Sequence, residues 1–299
     1  MSYSAIIAKI AEKSSVDFAL DFPVGLKTAY KTGGKADGVL FPSNSEQMKS
    51  VVYLLKESAV PYVVMGCGSN VLVSDRGYKG AVIFSENLKN ITVRGKTIVA
   101  EAGVSLSELI KTALYSGLGG LEFLSGIPAS VGGAVAMNAG AYGKSTGDYV
   151  SYVVTTSGVA AQKTCGFDYR TSVFKRENLP IISACFMLEN AEFDQSEEKI
   201  DKFLKLRQKK TPKGRSCGSV FKNDGYFAGK IIEEAKLKGA REGGAYVSEK
   251  HANFIIADKT ATSGDIKRLI DRIKRTVRGL FGTELSEEVE YIGEFDEQQ

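Results

Sequence analysis

The first candidate for binding chemistry is a run of basic side chains beyond residue 200. Residues 202–222 hold eight Lys and Arg residues and no acidic residue, directly after the acid-rich residues 192–201. Such a run forms a solvated face when its charges diverge. It forms an anion site when they converge, because Lys and Arg neutralise phosphates and carboxylates. The sequence leaves both interpretations open, and it predicts a helix across the change of charge.

The imidazole and thiol side chains exclude several chemistries. His251 is the only histidine, so the chain cannot build a site from several imidazoles. The four cysteines, Cys67, Cys165, Cys185 and Cys217, include no C-x-x-C pair. This spacing predicts structural thiols in a reducing compartment. We therefore expect no metal site and a cytoplasmic protein.

Glycine accounts for 32 of the 299 residues, and two segments hold much of it. Residues 66–75, GCGSNVLVSD, follow an apolar run, which predicts a strand leading into a loop. Closely spaced glycines let backbone N–H groups approach an anion such as a diphosphate, although a tight turn is the alternative. Residues 116–143 hold eight glycines and one charge. This composition is too apolar for a disordered linker and too glycine-rich for a core helix, which favours ordered backbone against a flat cofactor.

Neither segment is a standard nucleotide-binding motif. A dinucleotide fingerprint requires a third glycine where Val71 stands. A P-loop ending at Gly143–Ser145 requires a glycine where Asn138 stands.

The elements that position these residues follow from local signals. Ser43, Ser105 and Thr262 each precede an acidic residue by three positions and an amphipathic run, so each predicts a helix start. Gly282 predicts the end of the last helix. Short β-branched runs predict strands at 61–65, 80–84, 97–100, 150–155, 180–188 and 254–257. Because the elements do not repeat as βαβ units, we expect an α+β fold.

Size, charge and hydropathy narrow the class of protein. The length predicts about two domains, with a boundary near residue 200. The net charge of +4 is too small to indicate nucleic acid. The uncharged residues 123–143 contain too much glycine for a membrane helix, and Lys9 and Lys13 interrupt the apolar stretch that a signal peptide would need. We expect a soluble protein with neither a nucleic-acid nor a membrane partner.

A series of motifs in order closely resembles those of the UDP-N-acetylenolpyruvoylglucosamine reductase family. They are KTGGKAD at 31–37, GCGSNVLVSD at 66–75, GIPASVGGAVAMNAGAYG at 126–143, FDYRTSVFK at 167–175, SCGSVFKN at 216–223, AGKIIEEAKLKG at 228–239, GGAYVSEKHANFII at 243–256 and LSEEVEYIG at 285–293. The resemblance covers about residues 20–295.

The resemblance implies a fold and a division of the chain. Residues 1–200 would form an FAD-binding region of the vanillyl-alcohol-oxidase (PCMH) type, with α+β subdomains at about 20–85 and 86–200. Residues 201–299 would form an α+β substrate-binding domain. The length and the short stretch 210–226 resemble the shorter type of the family, which lacks an extra tyrosine-bearing loop.

The resemblance also implies the reaction. The family uses NADPH and FAD to reduce the enolpyruvyl ether of UDP-N-acetylglucosamine to UDP-N-acetylmuramate in peptidoglycan (cell-wall) synthesis. Because the chain has no Rossmann motif, we expect NADPH and substrate to bind in turn, with ping-pong kinetics. The N-terminal region has no histidine to link a flavin, so we expect noncovalent FAD. We also expect a monomer.

Three catalytic residues follow from the matched motifs. Ser219 matches the proton donor, Arg170 the arginine that pairs with the substrate carboxylate, and Glu288 the second catalytic residue. A planar guanidinium suits a carboxylate that gains enolate charge. The neighbouring Glu287 leaves the register of the glutamate to be decided, and the spacing L-x-x-E-V-x-x-I-G favours Glu288.

The same motifs imply the binding residues. The cofactor would contact Gly66, Cys67, Gly68, Ser69, Asn70, Val71, Ile127, Pro128, Ala129, Ser130, Gly132, Gly133, Asn138 and Ala139. The substrate would contact Tyr169, Arg207, Lys222, Asn223 and His251. Ala129, Asp224 and Glu290 depart from the residues usual in the family.

Two alternatives stay open from the sequence. A nucleotide-binding or nucleic-acid-binding protein would use the basic run 202–222, but it would leave residues 116–143 unexplained and lacks interleaved aromatic residues for base stacking. A related FAD-dependent oxidoreductase with another substrate would keep both glycine segments, but it would not need Ser219, Arg170 and Glu288 together.

Overall fold

The structure is a computed structural model that describes residues 2–295. Several of its helices begin where a side chain caps the first N–H groups. The hydroxyls of Ser105 and Thr262 accept from the N–H three residues on, at 3.1 and 3.0 Å, as predicted. The N–H of Thr262 in turn donates to the carboxylate of Asp265 at 3.0 Å, which completes a capping box. The helices are α1 Tyr3–Ser14, α2 Ser45–Glu57, α3 Leu106–Tyr115, α4 Val131–Ala136, α5 Val173–Arg176, α6 Phe193–Lys210, α7 Ala228–Glu234 and α8 Ser263–Phe281.

The predicted cap of α2 is wrong by one residue. Asn44, not Ser43, is the N-cap, and its side-chain oxygen accepts from the N–H of Gln47 at 2.9 Å. The N–H of Ser43 donates to the side chain of Gln47 at 2.8 Å. Asn and Ser are equally good caps, so two adjacent candidates cannot be separated by type. The predicted end of α8 at Gly282, with φ 67°, and the predicted helix across the change of charge near residue 201 are confirmed.

Every predicted strand run contains a strand, with ends that differ by at most two residues. The strands are β1 Asp17–Phe22, β2 Ala36–Phe41, β3 Tyr62–Met65, β4 Val71–Val73, β5 Tyr78–Phe84, β6 Ile91–Arg94, β7 Thr97–Glu101, β8 Leu118–Gly119, β9 Gly140–Ala141, β10 Lys144–Ser145, β11 Val150–Thr155, β12 Gly158–Ala161, β13 Ile181–Met187, β14 Glu189–Asn190, β15 Arg241–Glu242, β16 Ala245–Val247, β17 Ile255–Ala257 and β18 Glu290–Ile292. The expected α+β class is confirmed.

The chain forms two compact units. The larger unit comprises the residues up to Leu20 together with 38–67 and 80–207. It contains an antiparallel sheet in the order β12-β11-β13-β7-β6 and most of a sheet in the order β1-β2-β5-β3, in which β3 and β5 are parallel. Helix α4 packs on β13, and α1 packs on α2. These elements share one hydrophobic core, which includes the fully buried Phe123 and Phe186.

The smaller unit comprises residues 21–37, 68–79 and the chain from Gln208 onward. It contains the antiparallel sheet β15-β16-β17, against which α8 packs, and the parallel pair β4–β18. Its core is built on Tyr30, Phe221 and the apolar face of α8, all fully or almost fully buried.

The second glycine segment contains a helix that composition argued against. Helix α4 includes Gly132 and Gly133 and buries Val131, Ala134 and Val135. A Cβ at Gly132 would lie 2.9 Å from the Cβ of Ala102, so this glycine lets the helix approach the neighbouring backbone. The cost of glycine in this short helix is offset by close packing, a tertiary effect that composition does not reveal.

Candidate active site

The first glycine segment presents a row of available backbone donors. No N–H of residues 66–69 makes a hydrogen bond within the described part of the chain. Gly68 has φ 64°, and a Cβ there would lie 2.6 Å from the carbonyl oxygen of Lys27. Unpaired N–H groups in a tight loop are suited to the oxygens of an anion. The loop can therefore receive an anion, and its binding of a cofactor diphosphate stays a prediction.

The two glycine segments meet at one point within the larger unit. A Cβ on Gly66 would lie 2.3 Å from the hydroxyl oxygen of Ser130, so no side chain fits there. Ser130 is buried, and its hydroxyl accepts from the N–H of Gly133 at 3.3 Å to cap α4. This contact brings together two sets of predicted cofactor residues that are distant in sequence.

Most backbone donors of the second segment are already used. The N–H of Val131 donates to the carbonyl of Val104 at 2.8 Å, and that of Gly132 to the carbonyl of Ala102 at 2.9 Å. The predicted cofactor residues Ile127, Pro128, Ala129 and Gly133 keep exposed or partly exposed surface. This segment can therefore offer a surface to a cofactor, but fewer backbone donors than residues 66–69.

Arg170 lies in a tight turn that is tied to the second segment. Its φ of 56° is in the left-handed region, which non-glycine residues seldom adopt. Asp168 and Thr171 exchange backbone hydrogen bonds across the turn at 3.1 and 3.2 Å, and the guanidinium of Arg170 donates to the carbonyl of Gly140 at 3.1 Å. The guanidinium carbon lies 5.0 Å from the centre of the Tyr169 ring. Backbone strain held in this way is common at functional sites.

Asn138 connects the second segment to this turn. The residue is buried, and its amide nitrogen donates to the carbonyl of Asp168 at 3.0 Å. Its amide oxygen accepts from the N–H of Gly147 at 2.8 Å. Both ends of the side chain thus make hydrogen bonds within the protein, and they support the turn that carries Arg170. Neighbouring Ala139 accepts from the backbone and side chain of Thr146.

Arg207 is a half-buried cation in the larger unit. Its Nε donates to the carbonyl of Ser125 at 3.0 Å, and its Cδ lies where a Cβ of Gly126 would come within 2.9 Å. Burial lowers the pKa of this guanidinium from its usual value. No carboxylate of residues 2–295 forms an ion pair with it. A partly desolvated arginine without a carboxylate partner is suited to a ligand anion, which favours the anion-site interpretation of the basic run.

Ser219 and Glu288 lie on adjoining backbone segments of the smaller unit. The N–H of Glu288 donates to the carbonyl of Val220 at 2.7 Å, and the N–H of Lys222 to the carbonyl of Ser286 at 2.8 Å. Ser219 is half-buried, and its hydroxyl makes no hydrogen bond within residues 2–295. The hydroxyl is therefore available to a ligand.

The two adjacent glutamates have different environments. The carboxylate of Glu287 accepts from the ammonium of Lys274 at 2.6 Å and is largely buried. Glu287 therefore forms a structural ion pair with Lys274. Glu288, which the motif spacing favours, stays a prediction for the catalytic glutamate.

The remaining predicted substrate residues differ in what their side chains already bind. The side-chain oxygen of Asn223 accepts from the N–H of Ala228 at 3.0 Å, at the start of α7. The Lys222 side chain is partly exposed. The ring of His251 accepts at Nδ1 from the N–H of Asn253 at 3.2 Å. Burial, followed by the nearby lysines, lowers the pKa of His251, so the neutral ring keeps its proton on Nε2 and can donate it.

Sequence reasoning missed Asn253. Its buried amide accepts from the N–H of Phe221 at 2.9 Å and donates to the carbonyl of Phe221 at 2.8 Å. Its own carbonyl accepts from the N–H of Val220 at 2.9 Å. Asn253 therefore fixes the segment that follows Ser219. Only its place in the HANF motif marked it, and that motif gives no indication of the partner.

The cysteines are all free. Cys67 is exposed, yet partial desolvation, followed by the charge of Glu86, raises the pKa of its thiol. Burial raises the pKa of Cys165 to about 11.

Within residues 2–295, no cluster of three or more His, Cys, Asp or Glu side chains could hold a metal ion. In the same range, no helix is both long and apolar enough to cross a membrane.

Comparison with known proteins decides the family. Residues 208–292 match the family model of the UDP-N-acetylenolpyruvoylglucosamine reductase C-terminal domain, and residues 36–162 match that of an FAD-binding domain. The reductase of Caldanaerobacter subterraneus is 38% identical, with 92% of this chain and 93% of that protein covered. The reductase of Streptococcus uberis is 41% identical, with 95% and 96% covered. The chain belongs to the UDP-N-acetylenolpyruvoylglucosamine reductase family.

A solved reductase structure agrees with this assignment. The crystal structure of UDP-N-acetylenolpyruvylglucosamine reductase from Thermus caldophilus matches with a TM-score of 0.78 and 31% identity, covering 93% of this chain and 99% of that one. Membership in the reductase family and the matched FAD-binding domain make the chain an FAD-containing oxidoreductase. The fold expected from the resemblance, an FAD-binding region followed by the reductase C-terminal domain, is confirmed.

Proposed function

We propose that the chain uses NADPH to reduce the enolpyruvyl ether of UDP-N-acetylglucosamine to UDP-N-acetylmuramate. The observation that carries the proposal is the available hydroxyl of Ser219, on a segment paired with the backbone of Glu288. FAD held by residues of the two glycine segments would supply the redox chemistry, as the carrier of a hydride from NADPH to the terminal vinyl carbon of the substrate. The protein must then stabilise and protonate the adjacent carbon.

The cofactor diphosphate is proposed to bind the N–H groups of residues 66–69, with Asn70 and Val71 closing the loop. The second segment, from Ile127 to Ala139, supplies the proposed flat surface for the rest of the cofactor. FAD is proposed to be held without a covalent bond, because the pKa of the Cys67 thiol is raised and residues 1–250 contain no histidine. Acid precipitation should release all flavin, and flavin that stays with the precipitated protein would contradict this.

Arg170 is proposed to pair with the substrate carboxylate. As the hydride arrives, negative charge spreads from the adjacent carbon into that carboxylate, and the guanidinium stabilises it. The turn holds Arg170 in place before substrate arrives, so little reorganisation is needed. Tyr169 stacks near the guanidinium and is a proposed substrate contact.

Ser219 is proposed to give its proton to the carbon next to the carboxylate. The serine O–H bond breaks as the new C–H bond forms, and solvent returns a proton to the oxygen. A serine hydroxyl is a weak acid, so it serves only a strongly basic carbanion within hydrogen-bond reach. Glu288 is proposed to aid this protonation.

The other proposed substrate contacts address charge and hydrogen-bonding groups. Arg207 and Lys222 offer cations to the UDP diphosphate, and neutral His251 offers its Nε2 proton. Asn223, whose side-chain oxygen accepts from the N–H of Ala228, is a further proposed substrate contact.

NADPH and the sugar nucleotide are proposed to bind in turn, so double-reciprocal plots should give parallel lines. We further propose a division of roles, with the cofactor region in residues 1–200 and the substrate domain in 201–299. The proposed partners are small molecules alone, bound by a cytoplasmic monomer. Four unpaired cysteines support a reducing compartment. Light scattering tests the monomer.

The deciding experiment is NADPH oxidation by the purified holoenzyme, with and without the enolpyruvyl sugar nucleotide. We expect oxidation to depend on that substrate and the product to gain one hydride and one proton. A yellow protein that ignores this substrate and oxidises NADPH with another acceptor would favour the alternative, a related FAD oxidoreductase.

A further inference from the structure

The last residue of the cofactor loop is bonded to the backbone of the glutamate assigned to catalysis. Both lie in the smaller unit. The side-chain amide of Asn70 donates to the carbonyl of Glu288 at 2.9 Å, and the carbonyl of Asn70 accepts from the N–H of Glu290 at 2.9 Å. Asn70 thus bonds to the backbone of Glu288 and to that of Glu290, on either side of Val289.

These bonds begin a parallel ladder. Strand β4 starts directly after Asn70, and Glu290, Tyr291 and Ile292 of β18 pair with Val71, Leu72 and Val73. The ladder fixes the register of the two strands. It therefore fixes the position of Glu288, two residues before the paired Glu290, relative to Asn70 at the end of the cofactor loop.

The Glu288 peptide is also held from the other side. Its N–H donates to the carbonyl of Val220, next to Ser219. With both the N–H and the C=O of this residue bonded, the backbone from which the carboxylate extends cannot rotate freely. Glu288 is thereby fixed between the cofactor loop and the Ser219 segment.

We propose that Asn70 is a positioning residue for Glu288, and that the loop which holds the cofactor diphosphate also sets the catalytic glutamate in place. The inference rests on the proposed function, in which Glu288 aids protonation. Without the Asn70 amide, the carbonyl of Glu288 loses its donor and the carboxylate loses its fixed origin. A displacement of about 1 Å at a catalytic group costs on the order of 100-fold in rate.

The test compares N70A with S74A. Ser74 makes the same kind of bond at the far end of the same ladder, from its hydroxyl to the carbonyl of Glu294 at 2.5 Å, and it has no proposed role in the reaction. Both variants are saturated with FAD, reduced with NADPH and mixed with the enolpyruvyl substrate, and the return of flavin absorbance is followed. S74A should be reduced by NADPH at the rate of the unmodified chain, and the rates of N70A are taken per bound FAD, because Asn70 also belongs to the proposed cofactor loop.

We expect N70A to slow reoxidation at saturating substrate by about 10- to 100-fold, with the half-saturating substrate concentration unchanged, and S74A to leave both values unchanged. N70D, which keeps the size of Asn70 but lacks its donor, should follow N70A and serves if N70A folds poorly. Equal reoxidation rates in N70A, N70D and S74A would overturn the proposal.

A double-variant cycle separates this inference from the proposed function. If Asn70 acts through Glu288, N70A/E288Q should be no slower than E288Q alone. Independent, multiplying effects would overturn the role of Asn70 and leave that of Glu288 intact. A fully active E288Q would instead contradict the proposed role of Glu288, and with it this inference.

Discussion

The two glycine-rich segments use glycine for different physical purposes. In residues 66–69 the backbone donors are unpaired, and Gly68 allows a left-handed turn. In residues 116–143 the donors at the start of α4 are bonded to residues 102 and 104, and the glycines permit close contacts with Tyr149, Ala102 and Arg207. The first segment thus offers backbone donors, whereas the glycines of the second allow tight packing.

Composition cannot separate these two uses, because both enrich glycine in apolar sequence. Accounting for each backbone N–H separates them at once. It follows that substitutions in the first segment should affect cofactor binding, whereas substitutions in the buried part of the second should affect folding.

The largest effect is expected for G68A. A Cβ there adds left-handed strain and lies 2.6 Å from the carbonyl oxygen of Lys27, so the loop must open. We expect FAD to bind about 100-fold more weakly, roughly 3 kcal/mol, as measured by flavin fluorescence titration. Unchanged FAD affinity would remove the distinction between the segments.

The matched substitution in the second segment is G120A. Its Cβ would lie 2.6 Å from the ring of Tyr149, at a partly exposed position of the larger unit where φ is 128°. We expect the free energy of unfolding to fall by about 2–3 kcal/mol in a urea titration. FAD affinity of the folded protein should stay unchanged, and a loss comparable to that of G68A would contradict the assignment.

N138D tests whether Asn138 of the second segment positions Arg170. Aspartate keeps the acceptor for Gly147 but loses the donor to the carbonyl of Asp168. With the turn less constrained, we expect the half-saturating substrate concentration to rise about tenfold, the equivalent of one hydrogen bond. An unchanged value in steady-state assays would show that this bond does not position the arginine.

The smallest effect concerns the labelling of Cys67. Its raised thiol pKa means that little thiolate is present near neutrality, so labelling should be slower than for a free cysteine and should accelerate as the pH rises. Bound FAD should slow it several-fold, whereas buried Cys165 should resist labelling in both forms. Equal labelling of Cys67 with and without FAD, followed by peptide mass spectrometry, would place the cofactor elsewhere.

The sequence predicts the elements that depend on local signals. The caps at Ser105 and Thr262 and the strand runs depend on neighbouring residues, so sequence identified them. Helix α4 and the β4–β18 pairing depend on partners distant in the chain, which periodicity does not encode. The roles of Asn70 and Asn253 arise from backbone contacts made only after folding, so their residue type predicted polarity without a partner.

Ser219 is proposed to supply the proton after hydride transfer. The direct measurement is rapid mixing of S219A, first with NADPH and then with the enolpyruvyl substrate, beside S216A as the control from the same segment. We expect both variants to be reduced normally, S216A to reoxidise normally, and S219A to reoxidise roughly 10²- to 10⁴-fold more slowly. Normal reoxidation of S219A would contradict this role of Ser219.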